Sequence, residues 1–220
     1  MRLALFDLDH TLLSGDSDLL WCEFLLRQGL LDAGFADRAR RMADAYTAGS
    51  VTPADYCDFH ASTLAGRSEA DWQPLRERFL HEVIRPLIPD DARALLQRHR
   101  DAGHTLLLTT ATNRLVSALT ATDLGVDHYL ATDLEVIDGR FSGRTQGALN
   151  MRTGKVERLR AWLQEHALPE TALKQATFYT DSINDLSLLS VVRQPVVVDP
   201  DPRLESTALR KGWKVLRFKR

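Results

Sequence analysis

Two carboxylates stand one residue apart in Asp7-Leu8-Asp9, directly behind the apolar run Leu3-Ala4-Leu5-Phe6. In an extended chain side chains alternate, so Asp7 and Asp9 project to the same side at the end of a buried strand. Like charges that close need a cation near them, or one must keep its proton. Three other segments carry groups that complement the pair. Thr109, Thr110 and Thr112 end one apolar run, Lys155 follows Gly154 at a helix start, and Asp181 and Asp185 follow "TFYT". Carboxylate oxygens suit Mg2+ with its waters and a phosphate oxygen. A hydroxyl, backbone N–H groups at a helix start and an ammonium suit the remaining phosphate oxygens. A calcium-binding loop fails because its sixth position needs glycine and here holds Leu12. The sequence contains no evident Ser/His/Asp triad, Cys/His pair or glycine-rich phosphate loop.

These groups share a site only if the elements between them bring strand ends together. From Asp16 to about Leu87 the pattern is helix after helix, with Asp16, Thr52-Pro53 and Ser68 as starts and Gly29, Gly49 and Gly66 as stops. After Pro86 and Pro89 helices and strands alternate: "DDARALLQRHRDAG" then "HTLLLTTAT", "NRLVSALTATDLG" then "VDHYLAT", and "GKVERLRAWLQEHA" then "ATFYTDS". "EVIDGRFSG" reads as a hairpin turning at Asp138-Gly139. Such alternation implies βαβ units and a mostly parallel, doubly wound α/β sheet. The expected organisation is an α/β core of residues 1–14 and 88–220, with an all-helical insertion at 15–87 placed after the first strand. Ordinary βα loops run about 2–6 residues. An insertion this long at a strand's carboxyl end lies over the crevice where open α/β sheets bind ligands, as a lid would.

Composition narrows the function classes. The 220 residues are 44% hydrophobic and 26% charged with a net charge of -2, an ordinary globular balance without a nucleic-acid or membrane-surface footprint. No apolar run reaches the ~18 residues of a membrane span. The first apolar run is too short for a signal peptide, and Cys22 and Cys57 fit no metal spacing. A cytoplasmic protein acting on a small metabolite, as monomer or homodimer and with no nucleic-acid or membrane partner, is the expectation.

With "DLDHT" (7–11), "TTAT" (109–112), Lys155 and "DSIND" (181–185) in order at expected strand or helix ends, the sequence resembles the haloacid dehalogenase superfamily. The likeness is to the branch that contains phosphoserine phosphatase and histidinol-phosphate phosphatases, and it covers nearly the whole chain. It implies a Rossmann-like core with a helical cap and Mg2+-dependent phosphomonoester hydrolysis through an aspartyl-phosphate. By the resemblance Asp7 is the nucleophile and Asp9 the general acid and base. Asp7, the Asp9 backbone carbonyl and Asp181 would hold Mg2+, with Asp185 supporting them. Thr110, Ala111 and Lys155 would hold the phosphate, with Thr109 as the alternative hydroxyl. An acid at the position of Asp9 also separates phosphatases from the dehalogenases of the superfamily.

Substrate choice is expected in the cap. Asp16 either binds a substrate amine or merely caps the first cap helix. Counting back from "LAG" (64–66), the place of the arginine that clamps the carboxylate in phosphoserine phosphatases falls near His60, which is either a ligand or a packed residue. Asn184 is a further candidate. The missing arginine points to an ester with an amine and no carboxylate, L-histidinol phosphate, over phosphoserine. A phosphotransferase or mutase, or an inactive phosphate-binding module, are the alternatives of another class. Trp21, Phe24, Phe59 and Trp72 either line the lid pocket or pack the core.

Overall fold

The computed structural model describes residues 2–220, apart from the side chain of Thr47. Its strands are β1 (Leu3–Phe6), β2 (Thr105–Asn113), β3 (His128–Ile137), β4 (Arg140–Gln146), β5 (Thr177–Thr180), β6 (Gln194–Val198) and β7 (Lys214–Leu216). They form one sheet in the order β4-β3-β2-β1-β5-β6-β7. All neighbours are parallel except β3 and β4. Every residue of β1 is buried, as a central strand covered on both faces requires. β1 lies between β2 and β5, where the strand order switches direction, and its carboxyl end opens into the crevice typical of such sheets.

One sequence expectation changes in detail. "VDHYLAT" and the first arm of the hairpin are a single ten-residue strand, β3. Its first half pairs parallel with β2 and its second half antiparallel with β4. Asp138 and Gly139 both have positive φ (50° and 75°), the conformation of a tight type I′ hairpin turn.

The helical segment holds α1 (Ser17–Arg27), α2 (Phe35–Thr47), α3 (Pro53–Ala61) and α4 (Glu69–Phe79), after which irregular helical turns lead to Leu87. The core helices are α5 (Asp90–Asp101), α6 (Arg114–Asp123), α7 (Thr153–Glu165), the short α8 (Leu186–Leu189) and α9 (Pro202–Lys211). Asp16 caps α1 by accepting the Leu19 N–H, and Thr52 and Ser68 head α3 and α4 in reciprocal capping boxes with Asp55 and Asp71.

The helical segment does not all stand apart from the sheet. Trp21 and Phe24 of α1 and Trp72 and Phe79 of α4 share one apolar cluster with Phe6, Leu108 and Leu115. Burying each such ring contributes about 1.5–3 kcal/mol, so these four aromatics anchor the segment instead of lining a pocket. Arg76 of α4, itself buried, donates to the Leu115 carbonyl and pairs with Glu69. Gly66 and Arg67 exchange backbone hydrogen bonds with Phe141 of β4. α2 and α3 are outermost and pack through a small cluster of Cys22, Phe35 and Ala39, with Phe59 against it.

Candidate active site

Asp7 follows β1 and stays in extended backbone, its N–H donating to the Tyr179 carbonyl of β5. The chain then turns sharply. Asp9 is extended and His10 has φ 55°, which aims residues 7–11 around the end of the strand. Lys155, at the start of α7, donates to Asp7 Oδ1 and to Asp185 Oδ2, each at 2.7 Å, and is almost wholly buried. Asp185 Oδ2 also accepts from Thr180 Oγ1 at 2.7 Å. Thr11 Oγ1 donates to Asp181 Oδ1 at 3.0 Å and accepts the Asp181 N–H. Asp7 Oδ2 is 3.4 Å from the same hydroxyl, so one threonine lies between the two carboxylates.

Asp9 is held from a different direction. Its Oδ1 accepts the Ser17 N–H, at the start of α1, at 2.7 Å, and its Oδ2 accepts from Thr112 Oγ1 at 2.7 Å. Thr110 Oγ1 lies 3.4 Å from the same oxygen. Thr109 points to the opposite side of β2, where Asn150 Nδ2 donates to it. Thr110 and Thr112 therefore put their hydroxyls on the Asp9 side, and Thr109 belongs to the support of the loop before α7. That loop is pinned by Asn150, which also donates to the carbonyls of Thr110 and Leu130. It runs so close to α7 that a Cβ on Gly154 would fall 2.1 Å from the Leu149 carbonyl oxygen.

The electrostatics follow from burial. Burial pushes Asp7 up to about 7 against the pull of Lys155, and the charges of Asp185 and Asp9 add to the rise. Burial, then the charge of Asp7, pushes Asp181 up to about 8. Asp9 is raised, chiefly by burial and then by Asp16, although bonds from Ser17 and Thr112 oppose this. Burial lowers Lys155, but Asp185 and Asp7 outweigh it and hold the ammonium charged above its ordinary range. One ammonium thus serves two buried carboxylates, Asp7 and Asp185, with Asp9 and Asp181 close by, a surplus of negative oxygen that a divalent cation would relieve.

These groups open into a cleft of about 170 Å³. Asp7, Asp9, Lys155, Asp181 and Asp185 form its floor, with Ala111, Asn184 and Asp16 also on its lining. Thr110 is fully buried just beneath. His60 does not line it. Its Nδ1 is 3.7 Å from Cys22 Sγ and its ring packs edge-on against Tyr56 and Phe59 inside the helical segment. The position on the wall belongs to Tyr56, one helical turn earlier, joined by Tyr46, Met151 and Arg152. Neither tyrosine nor Arg152 is marked by a motif. Arg152 comes from the core, at the turn into α7.

A further clamp has no sequence signal. The Arg220 guanidinium donates to the Leu13 carbonyl and Ser14 Oγ at 3.0 Å each, and to the His10 carbonyl, while pairing with Asp199. It ties the turn after Asp7 to the far edge of the sheet.

Against this geometry the comparisons with known proteins decide the family. A profile of haloacid dehalogenase-like hydrolases matches residues 4–190. The chain belongs to that family. It is 36% identical over 220 residues to the histidinol-phosphatase of Neisseria meningitidis serogroup C (strain 8013), covering 99% of each chain. It is also similar to a protein with unknown function from Bordetella pertussis Tohama I, whose crystal structure gives a TM-score of 0.91 at 40% identity over 98% of this chain and 97% of that one. A substrate-bound phosphoserine phosphatase shares the fold at a TM-score of 0.71 and 17% identity, covering 98% of this chain and 92% of its own. The expected Rossmann-like fold and the expected enzyme class, a phosphatase of this superfamily, are both borne out. Among the described residues no helix is long and apolar enough to cross a membrane.

Proposed function

We propose that the chain is a Mg2+-dependent phosphomonoesterase acting on a small cationic metabolite, with L-histidinol phosphate as the substrate the evidence favours. The observation that carries the reading is Lys155 joined at 2.7 Å to both Asp7 and Asp185, while Asp9 is held apart by Ser17 and Thr112. Two carboxylates at one strand end thereby receive different partners and different roles.

Asp7, with one oxygen fixed by Lys155, attacks phosphorus through its other oxygen and forms an aspartyl-phosphate. Asp9, whose raised pKa favours a held proton, gives that proton to the leaving alkoxide and afterwards takes one from the attacking water. Lys155 stabilises charge on Asp7 and on the phosphoryl oxygens, and Thr110 with the Ala111 N–H receives those oxygens. The donor set fits Mg2+. Among the described residues no three His, Cys, Asp or Glu side chains converge as a cage, but Mg2+ ordinarily uses one or two carboxylates, water and substrate phosphate. Asp7, the Asp9 carbonyl and Asp181 would hold it, with Asp185 supporting them, and its charge would offset the surplus carboxylates.

Residues 15–87 are read as the cap, which excludes water and selects the substrate, with Asp16 receiving the amine. Asn184 on the opposite rim is a second polar contact for the leaving group. The full-length similarity to a histidinol-phosphatase supports the substrate, and the unpaired thiols of Cys22 and Cys57 support a cytoplasmic setting. The test is phosphate release from L-histidinol phosphate and L-phosphoserine, with and without Mg2+, using Asp7→Asn as the blank. We expect Mg2+-dependent release that favours L-histidinol phosphate and is absent in the variant. Equal release by Asp7→Asn would refute the reading, and preference for L-phosphoserine would refute the substrate.

A further inference from the structure

We infer that Tyr46 and Tyr56 are specificity-determining residues, an aromatic wall that, beside Asp16, selects phosphomonoesters carrying an amine and a flat aromatic ring. The inference rests on the phosphatase reading above and deepens it by naming the residues that recognise the far end of the substrate.

The phosphate end of the cleft is filled by groups suited to phosphate and metal. Besides His10, Ser182 and Asn184, the rest of the lining is Asp16, Tyr46, Tyr56, Met151 and Arg152. Tyr46 comes from α2 and Tyr56 from α3, yet their rings stack with centroids 4.6 Å apart and planes 29° apart. Tyr56 is backed in turn by His60 at 4.8 Å. A stack supported from two helices is a fixed surface, and binding against it costs little ordering. Aromatic faces are electron-rich and attract cations and flat π systems.

The charge around the wall is negative. Asp16 uses Oδ1 to cap α1, and its Oδ2 makes no hydrogen bond among the described residues. Burial, then the charges of Asp16, Asp18 and Asp9, drive the Tyr56 hydroxyl well above its ordinary range. Beside Tyr56, Asp16 is the group that suits an ammonium. Arg152 is the one guanidinium on the lining, and its charge lies over the Tyr46 ring at 5.1 Å from the centroid. Its backbone has φ 52°, an uncommon conformation for a residue with a side chain. It packs on Tyr46, which backs Tyr56, so the ring, the amine and the phosphate of one substrate each meet a different partner: Tyr56 with the edge of the stack, Asp16, and the Lys155 end.

The experiment compares kcat and KM for three esters: L-histidinol phosphate, which has an amine and a ring; ethanolamine phosphate, which has an amine alone; and L-phosphoserine, which has an amine and a carboxylate. The variants are Tyr46→Leu, Tyr56→Leu, Tyr46→Phe and Tyr56→Phe. The native enzyme should favour the ring ester over ethanolamine phosphate by about tenfold or more, the scale of one apolar subsite. Each leucine variant should lower that ratio by about tenfold, mainly through a higher KM for the ring ester. The phenylalanine variants keep the ring faces and should keep the ratio. A ratio unchanged in both leucine variants overturns the inference, as does a native preference for L-phosphoserine, which would make Arg152 a carboxylate clamp. Turnover of ethanolamine phosphate without any ring preference overturns the inference alone. No turnover of any ester overturns the phosphatase reading with it.

Discussion

Lys155 is the residue on which the site's stability and chemistry meet. Among the described residues its ammonium is the one positive charge bonded to two buried carboxylates, Asp7 and Asp185. Removing one member of such a network leaves charge buried without a partner, at a cost of about 3–5 kcal/mol. Lys155→Met should therefore lower the unfolding free energy by about that amount in denaturant titration, and abolish turnover besides. A variant as stable as the native protein would mean that the carboxylates are not both charged around the lysine. At this scale the sequence was informative wherever a strand ended. Alternation along an extended chain put Asp7 and Asp9 together, and the ends of β2, β5 and the start of α7 supplied Thr110, Asp181, Asp185 and Lys155. It was uninformative for Tyr46, Tyr56 and Arg152. Tyr46 and Tyr56 reach the cleft through the way α2 and α3 lie against it, and Arg152 through the turn into α7, and no periodicity within a helix reports either. The count that selected His60 stopped one turn past Tyr56, on the same helical face but inside the segment and not at the cleft.

Elements hold the site through close approaches. The turn into α7 passes so near itself that only glycine fits at position 154, where a Cβ would meet the Leu149 carbonyl at 2.1 Å. Gly154→Ala must push the loop that carries Asn150 away from α7, and Lys155 moves with it. Misplacement of about 1 Å costs on the order of 10²-fold in rate. The expected result is a loss of that order in kcat with KM for the ester changed far less, read from steady-state kinetics. A variant with native kcat would show that the loop relaxes without disturbing Lys155. Helix starts and stops were legible because Asp16, Thr52 and Ser68 cap their helices by side-chain bonds that depend on residue type alone. The fusion of α1 and α4 with the sheet's own core was not, since Trp21, Phe24, Trp72 and Phe79 suit a pocket wall and a packed core equally until their neighbours are known.

At the scale of the whole molecule, the sheet is tied to its flanking helices by a buried polar line as well as by apolar packing. His99 of α5 bonds Tyr179 of β5 through Nε2 and His104 through Nδ1, both at 2.8 Å. Burial, then the charges of His104 and Arg98, lower His99 to about 4 from its ordinary 6.5. Between those values the unfolded chain binds the proton and the folded one does not, so this group's contribution to stability is full above pH 6.5 and is lost as pH falls toward 4. Thermal midpoints followed over that range should fall less steeply in His99→Gln than in the native protein. Parallel curves would show that His99 does not titrate differently on folding. The doubly wound order itself was legible, because every strand of the core but the β3–β4 hairpin is separated from the next by a helix-length segment, as parallel pairing requires.

The account stands or falls on Asp7 forming a covalent bond to phosphorus. The direct measurement is acid quenching of the enzyme during turnover of L-histidinol phosphate with Mg2+, followed by mass spectrometry of the peptide that contains residues 7–11. The account predicts a fraction of that peptide heavier by one phosphoryl group, with the modification on Asp7 and absent from Asp7→Asn. Rapid turnover with no phosphorylated peptide at any quench time, or with the phosphoryl group on another residue, would contradict it.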